Sequence, residues 1–217
     1  MRLAIGDIHG RPHWKKYLDE DFAEFYFTGD YFDSFDISFL RQLGNFRELC
    51  ETARADRRIK LCLGNHDYHY VGQIFHQEYS GYQHKNKLYI YDILERNMDL
   101  LNIVYVTPDK YLVSHAGVSN TFMKKIGAAS VEEINGAFTK DRNILNFDGR
   151  DIYGNDVTQS PIWIRPPALE RDPVAGYHQI VGHTPVDAVR ESTVRHQYGE
   201  IKITYIDTSD NEAVYRF

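Results

Sequence analysis

Residues 3–10 read LAIGDIHG, an apolar run that ends in Asp7 and His9 with a glycine beside each. A short run of this kind, bounded by turn residues, is typical of a buried β-strand. Glycine permits tight turns and close approach of the backbone, so the side chains after the strand can turn inward. The stretch therefore predicts a strand whose carboxyl end carries polar side chains able to bind a ligand.

Four further apolar runs end in the same way. Their polar ends are GDYFD at 29–33, GNHD at 64–67, SHAG at 114–117 and GHT at 182–184. In open α/β sheets the carboxyl ends of the strands border the crevice where ligands bind. We therefore expect these groups, which are distant in sequence, to converge at one sheet edge.

Any one of these segments alone would favour an ordinary turn, since Asp and Gly both prefer turns. Five of them together offer carboxylate, imidazole and amide groups but no thiolate, which favours a metal site. Oxygen and nitrogen ligands of this mix suit Mn, Fe, Zn or Ni. The candidate metal ligands are Asp7, His9, Asp30, Asn65, His115 and His183.

Strands and helices are predicted to alternate along the chain. Ser34 is expected to cap a helix over residues 39–49, and Ser130 with Glu133 has the spacing of a capping box. The alternation predicts an α/β sandwich with helices on the outer faces of its sheets. Strands are predicted at 3–5, 25–28, 59–63, 103–106, 111–114, 179–181 and 201–206. Residues 142–171 predict a long loop, of a kind that is often functional.

Length and composition set the class of protein. The 217 residues, 42% of them hydrophobic, suit a single domain over residues 1–217 with a sizeable core. We expect a cytoplasmic protein without a membrane partner, since no apolar run approaches the roughly 18 residues of a membrane helix. The net charge of −6 argues against an extended nucleic-acid surface. It leaves an anionic substrate open, because bound divalent cations reverse the sign of a pocket. Nothing in the sequence indicates an oligomeric state.

Taken in order, the five motifs resemble those of the calcineurin-like metallophosphoesterase superfamily. The bacterial and phage Ser/Thr protein phosphatases and the symmetrical dinucleoside tetraphosphatases are the most similar branch. The resemblance spans residues 6–184 and implies a four-layer αββα sandwich of two mixed sheets flanked by helices. It also implies two divalent metal ions, Mn foremost, with Fe, Zn or Ni as alternatives. The first metal would be bound by Asp7 and His9, the second by Asn65, His115 and His183, and Asp30 would bridge both.

The resemblance also implies a chemistry. A hydroxide that bridges the two metals would attack the phosphorus. His66 would donate a proton to the departing alcohol, and Asp33 would orient the His66 imidazole. Arg165, in the segment PIWIRP at 161–166, resembles the phosphate-binding Arg of the bacterial phosphatases, and Asn65 would contact phosphate as well. The simpler alternatives are that His66 only fixes Asn65 and that Arg165 is a solvated loop residue.

Two departures from the family pattern leave the substrate open. The protein phosphatases usually continue the second motif as Asp-Arg-Gly, whereas this chain reads DSF at 33–35, so one phosphate-binding Arg is missing. Arg11, Arg165 or a residue of the Tyr-rich segment 68–84 could replace it. The third motif ends in Asp67, where the protein phosphatases typically have Glu.

The leading hypothesis is a hydrolase of phosphate esters, similar to a Ser/Thr protein phosphatase-like phosphomonoesterase. Its substrate would be a phosphorylated small molecule, a nucleotide or a phosphoprotein. A dinucleoside polyphosphate or cyclic nucleotide hydrolase is the alternative within the same chemistry. A mononuclear hydrolase and a non-catalytic metal-binding scaffold are further alternatives, although none of the six ligand positions is lost. No role is assigned to His69, His76 or His84, because aromatic segments more often form packing surfaces.

Overall fold

The computed structural model describes residues 1–72, 80–148, 151, 153–196, 199–208 and 214–217, so His76 lies outside the described residues. Within these residues, ten strands form two sheets of five. The strands are β1 (Arg2–Ile5), β2 (Glu24–Phe27), β3 (Ile59–Cys62), β4 (Leu101–Asn102), β5 (Val104–Val106), β6 (Tyr111–Ser114), β7 (His178–Val181), β8 (Arg190–His196), β9 (Gly199–Tyr205) and β10 (Val214–Arg216). The seven strands that the apolar runs predicted are all present.

Both sheets are mixed, as predicted. The first has the order β10-β1-β2-β3-β4, and the second has the order β5-β6-β7-β9-β8. β1 to β4 run parallel and β10 runs antiparallel to β1. In the second sheet β6, β7 and β9 run parallel, while β5 and β8 form antiparallel edges. The parallel strands of each sheet therefore present their carboxyl ends at one edge.

The two sheets face each other through alternate side chains of their strands. Ala4, Tyr26 and Cys62 of the first sheet pack in one buried cluster with Val113 and Ile180 of the second. Neighbouring residues on each strand point to the opposite face, because the side-chain period of a strand is two. Each sheet therefore has an inner face toward its partner and an outer face left for helices.

Helices cover both outer faces. α1 (Phe39–Ala55), α2 (Asn65–Val71), α3 (Lys87–Arg96), α4 (Asn120–Ile126), α5 (Glu133–Lys140) and α6 (Pro166–Leu169) follow in chain order. Phe46 of α1 and Leu94 of α3 share a buried cluster with Phe25 of the first sheet. Leu169 of α6 packs with Ile203 of the second sheet. The predicted four-layer sandwich is thus confirmed.

Both predicted helix caps are wrong. The N-cap position of α1 is Ser38, because the Ser34 hydroxyl oxygen instead accepts the N–H of Ile37 at 3.2 Å and closes a turn before the helix. The N-cap position of α5 is Glu132 and not Ser130. In both cases the loop before the helix adds a turn that the local pattern does not reveal.

The strands β4, β8 and β10 lie outside the predicted set. β8 forms a sheet edge and pairs only with β9 among the described strands. Its sequence RESTVRH is mostly polar, as suits an edge strand with exposed side chains. None of the described helices is long and apolar enough to span a membrane.

Candidate metal centre

The carboxyl ends of five strands bring the predicted ligands together. Asp7 follows β1, Asp30 follows β2, Asn65 opens α2 directly after β3, His115 follows β6 and His183 follows β7. The first three come from one sheet and the two histidines from the other, so the cluster lies where the ends of both sheets meet.

The distances within the cluster are short. His115 Nε2 lies 2.8 Å from Asn65 Oδ1 and 3.5 Å from Asp30 Oδ2. His183 Nδ1 lies 2.9 Å from the same Asn65 oxygen. His9 Nε2 is 3.8 Å from the same Asp30 oxygen. Asp30 Oδ2 therefore lies near one residue from each of the two groups that were predicted to bind separate metals.

Asp7 completes the cluster. Its Oδ1 lies 3.8 Å from His115 Nδ1 and accepts a 3.0 Å hydrogen bond from the hydroxyl of Thr28. Its Oδ2 accepts the backbone N–H of His183 at 3.0 Å. The structure thus places all six predicted ligands in one contiguous group, and their assignment to two metals stays a prediction.

Asp67 fixes the backbone around Asp30 and was not predicted to do so. This fully buried carboxylate accepts the N–H groups of Asp30 at 2.9 Å, Tyr31 at 2.8 Å and Gly64 at 3.0 Å. It therefore joins the loops after β2 and β3 at the point where both deliver a candidate ligand. Asp67, at a position where the protein phosphatases typically have Glu, makes all three hydrogen bonds.

The backbone is strained at the cluster. Among the described residues other than glycine, positive φ angles occur at His9 (41°), Asp30 (54°), Asp33 (65°), His183 (63°) and Lys110 (67°). All but Lys110 are candidate site residues. Such conformations cost of order 1–3 kcal/mol each and persist only where the surrounding structure imposes them. These four conformations therefore lower the stability of the fold, and they direct the side chains of His9, Asp30, Asp33 and His183 toward the site.

Gly64 leaves room for the Asp30 carboxylate. Its φ of −97° and ψ of 173° suit any residue, but an added Cβ would lie 2.1 Å from Asp30 Oδ1. We expect Gly64→Ala to displace that carboxylate and to weaken Mn²⁺ binding about 10–100-fold, the usual effect of disturbing the support of a metal ligand. Isothermal titration calorimetry with Mn²⁺ measures the change.

The matched control is Gly44→Ala on α1, where an added Cβ meets nothing within 4 Å. This change is expected to raise the free energy of unfolding by about 0.5–1 kcal/mol, because glycine is unfavourable inside a helix. Mn²⁺ binding should stay at the wild-type level. If Gly64→Ala bound Mn²⁺ as tightly as Gly44→Ala, Asp30 would not be a ligand.

The donor atoms fit a divalent metal. His115 Nδ1 is 3.0 Å from the carbonyl oxygen of Thr28, which can only accept, so Nδ1 carries the proton of the neutral ring. The lone pairs of His115 Nε2 and of Asn65 Oδ1, 2.8 Å away, then repel each other. A cation bound by both atoms would remove this repulsion. The ligand atoms of Asp7, Asp30 and His115 all lie within 4.8 Å of one another. Carboxylate, imidazole and amide groups therefore converge as a metal site requires.

Burial shifts the proton affinities of these groups. It raises the pKa of the carboxyls of Asp7 and Asp30, and nearby carboxyls add to the effect. Burial lowers the pKa of His9 to about 4 and that of His115 to about 3, and it lowers the pKa of His183 as well. At neutral pH the three imidazoles are therefore unprotonated and able to bind a metal, while the two carboxyls retain protons more readily than free aspartic acid.

These shifts predict that metal affinity rises with pH. Because the pKa values of Asp7 and Asp30 are raised in the metal-free fold, Mn²⁺ must displace protons that free carboxylates would already have lost. Affinity should increase about tenfold per pH unit for each proton released, over the range above the ordinary pKa of aspartic acid in which these buried carboxyls still hold protons. His9 and His115 add nothing in this range, because both are already unprotonated. Calorimetry in buffers of different ionisation enthalpy counts the protons, and a pH-independent affinity would contradict the assignment.

His66 and Asp33 form a second group beside the cluster. His66 Nδ1 lies 3.0 Å from Asp33 Oδ2, which also lies 2.6 Å from His69 Nε2. The hydroxyl of Tyr70 donates to the other Asp33 oxygen at 2.5 Å. Burial alone would raise the pKa of Asp33, but the hydrogen bonds from His66, His69 and Tyr70 outweigh it and hold that pKa below its usual value. Asp33 is therefore an ionised partner for the His66 ring, and its role in orienting that ring for catalysis stays a prediction.

The role of His69 was not predicted. It lies one turn after His66 on α2, so the i, i+3 spacing brings both rings to Asp33. The ligand atoms of these three residues also lie within 4.8 Å of one another. The separations of 2.6 and 3.0 Å to Asp33 are those of charge-assisted hydrogen bonds, which favours a hydrogen-bonded network.

Two clefts open onto the site. One, the His66 cleft, has a volume of about 460 Å³ and is lined by Asp7, His9, Arg11, His13, Asp33, Ser34, Phe35, Asp36, His66, Ser80, Pro185, Asp207 and Thr208. The other, the Trp163 cleft, has a volume of about 610 Å³ and is lined by Phe147, Tyr153, Gly154, Asn155, Trp163, Arg165, Pro166, Pro167, His183 and Thr184. Asp207 follows the end of β9, so the strand-end pattern could have identified it, and burial raises its pKa to about 6.

The two arginines considered for phosphate lie in different clefts. Arg165 Nη1 donates a long hydrogen bond of 3.4 Å to Thr184, next to His183. Burial lowers the pKa of this guanidinium, while the nearby carboxylates oppose that shift. Arg11 lies in the His66 cleft and pairs with the exposed Asp36 at 3.2 Å. Both can reach the neighbourhood of the cluster, and which of them binds phosphate stays a prediction.

Comparison with known proteins identifies relatives of this fold. The model of the calcineurin-like phosphoesterases matches residues 2–210. A cold-active protein-tyrosine phosphatase from a psychrophilic Shewanella species has a similar structure, with a TM-score of 0.61 and 17% identity over 96% of this chain and 71% of that one. A protein serine/threonine phosphatase from Saccharomyces cerevisiae has a TM-score of 0.51 and 14% identity over 95% of this chain and 67% of that one. No curated protein gave a significant sequence match.

Proposed function

The chain belongs to the calcineurin-like phosphoesterase family, and we propose from this that it is a metal-dependent hydrolase of phosphate esters with a dinuclear centre. The observation that carries the proposal is the convergence of six candidate ligands from five strand ends around Asp30. Asp7 and His9 would hold one divalent metal, and Asp30 would be shared between both. Asn65, His115 and His183 would hold the other. When bound, the metals supply an activated water and neutralise charge on the phosphoryl oxygens.

The residues around the metals would handle the substrate. Among the described residues, the Arg165 side chain makes one hydrogen bond, the long one that it donates to Thr184. Arg165 would bind the phosphoryl oxygens together with Asn65. His66 would donate a proton to the leaving oxygen, since its ring lines the cleft and its side chain is 19% exposed. The ionised carboxylate of Asp33, 3.0 Å from His66 Nδ1, would hold that ring in place.

The two substrate classes predicted from the sequence differ in what the phosphorus carries. A Ser/Thr protein phosphatase-like phosphomonoesterase acts on phosphorus with one organic substituent. A dinucleoside polyphosphate or cyclic nucleotide hydrolase acts on phosphorus that is bonded to two groups through ester or anhydride oxygens. The similar structures are those of a protein-tyrosine phosphatase and a serine/threonine phosphatase, which supports phosphoester hydrolysis.

A panel of four substrates tests the proposal. Protein loaded with Mn²⁺ is assayed on 4-nitrophenyl phosphate, bis(4-nitrophenyl) phosphate, a phosphopeptide and a dinucleoside tetraphosphate, before and after chelation. We expect hydrolysis of at least one substrate, abolished by the chelator and restored by Mn²⁺. Protein that binds Mn²⁺ but hydrolyses none of the four would favour the non-catalytic scaffold instead.

A further inference from the structure

Two separate clefts, the His66 cleft and the Trp163 cleft, open at the candidate metal cluster. Among the described residues the His66 cleft and the Trp163 cleft share no lining residue, yet each contains part of the cluster. Asp7 and His9 line the first, and His183 lines the second. A phosphate bound to the metals would therefore have open space in two places. The proton donor proposed for the leaving group, His66, lies in only one of them.

Hydrogen bonds hold one wall of the Trp163 cleft, formed by residues 153–155, in place. Gly154 has a φ of 77°, and its carbonyl accepts the N–H of Arg165 at 3.0 Å. The N–H of Tyr153 is held by the carboxylate of Asp151 at 2.7 Å. Arg171 donates to the carbonyl of Asn155 at 2.6 Å. Gly154 and Asn155 are therefore held against residues 165–171, and Tyr153 directly precedes them.

The wall is aromatic and partly open. Trp163 is 5% exposed, its indole N–H donates to the carbonyl of Leu145 at 3.0 Å, and its ring contacts Phe147 at 5.5 Å between centroids. Tyr153 is 71% exposed although it is a large aromatic side chain. An exposed aromatic ring such as that of Tyr153 is a surface on which a nucleobase can stack. The amide of Asn155, beside them, can pair with the polar edge of a base.

The volume of the Trp163 cleft and the positive charge of Arg165 suit a nucleoside that carries a phosphate. A cleft of about 610 Å³ lies within the range of small-molecule sites and is large enough for a base and a ribose. Arg165 contacts Thr184, the neighbour of His183, so a phosphate beside it would lie near the cluster and remain attached to a group in the cleft that Tyr153 also lines. This group would be the one that stays on the phosphorus, because the leaving oxygen must face His66 in the other cleft.

Resting on the proposed phosphoesterase function, we infer that the substrate is a phosphodiester or phosphoanhydride of a nucleoside. The nucleoside occupies the Trp163 cleft and the leaving group occupies the His66 cleft. Water supplies the new P–O bond, the P–O bond to the leaving group breaks, and the leaving oxygen takes up a proton. The product retained beside Arg165 is a nucleoside monophosphate.

Three substrates with one common leaving group test the inference. Thymidine 5′-(4-nitrophenyl phosphate), methyl 4-nitrophenyl phosphate and 4-nitrophenyl phosphate all release 4-nitrophenolate and differ only in what stays on the phosphorus. We expect the kcat/KM of the thymidine ester to exceed that of the methyl ester about tenfold or more, the effect of stacking one base. Tyr153→Ala should lower this ratio about tenfold. The control Tyr91→Ala, which removes an exposed tyrosine of α3, should keep it.

Binding provides a second readout that does not depend on turnover. Calorimetry on Mn²⁺-loaded protein should show thymidine 5′-monophosphate binding more tightly than methyl phosphate, and Tyr153→Ala should remove the difference. Equal rates for the thymidine and methyl esters, with equal binding of the two products, would overturn the inference and leave the proposed function intact. A binding preference that Tyr153→Ala removes, in protein that hydrolyses none of the esters, would support the nucleoside site and overturn the proposed function.

Discussion

Replacement of Asp30 by Asn is expected to abolish activity and release both metals. Asp30 lies 3.5 Å from His115 and 3.8 Å from His9, so the loss of its charge weakens the two halves of the cluster together. We expect kcat/KM to fall by more than about 10³-fold, because removal of a single hydrogen-bond donor from an active site already costs about 10²–10³-fold. Elemental analysis after dialysis from Mn²⁺ measures the metal, and the substrate panel measures the rate.

This variant should remain folded. Burial raises the pKa of Asp30, so its charge is unfavourable in the metal-free protein and a neutral amide removes that cost. The melting temperature of the metal-free variant should therefore be no lower than that of metal-free wild type. Asp92→Asn, which removes an exposed carboxylate paired with Arg96, is the matched control and should retain metal and activity. Full activity in Asp30→Asn would defeat the bridging assignment.

Replacement of His66 by Asn should slow turnover without loss of metal. The ring is held by Asp33 at 3.0 Å and does not belong to the six proposed ligands. Loss of a general acid costs about 10²–10⁴-fold, and the cost is greatest when the leaving group is a strong base. We therefore expect a large fall in kcat on an alkyl phosphate and a smaller fall on 4-nitrophenyl phosphate.

The comparison of these two substrates distinguishes a role of His66 as proton donor from a role in supporting Asn65. His84→Asn, which changes an exposed histidine, is the matched control and should alter neither rate. If His66→Asn hydrolysed the alkyl phosphate at the wild-type rate, His66 would not be the proton donor. Equal slowing on both substrates, with loss of metal, would instead assign His66 to the support of Asn65.

The sequence predicts most of the fold because buried strands leave a local signal. β1, β2, β3, β6 and β7 are apolar runs that end in polar motifs, and all were predicted. β8 has no such signal, since an edge strand can carry polar residues on both faces. The start of α1 depends on a turn that Ser34 makes with Ile37, and a serine at 34 or at 38 satisfies the same local pattern.

The candidate site residues were predictable from the sequence, but the residues that hydrogen-bond to them and to their loops were not. The candidate ligands share a recognisable position after each strand, and the structure brings their side chains into one group. Asp67 reaches backbone N–H groups on a loop 36 and 37 residues away, and no local pattern encodes such a contact. His69 could have been found from its spacing to His66 on α2. The lining of the Trp163 cleft depends on how the loop between α5 and α6 folds back onto Trp163 and Arg165, which local pattern does not determine.

Anomalous diffraction at the manganese edge, from crystals grown with Mn²⁺, tests most directly whether distant strand ends jointly hold two cations. We expect two anomalous peaks in each chain, both in contact with the Asp30 carboxylate. His9 and Asp7 should approach one peak, and Asn65, His115 and His183 the other. A single peak would indicate a mononuclear centre, and no peak among these side chains in excess Mn²⁺ would contradict the account.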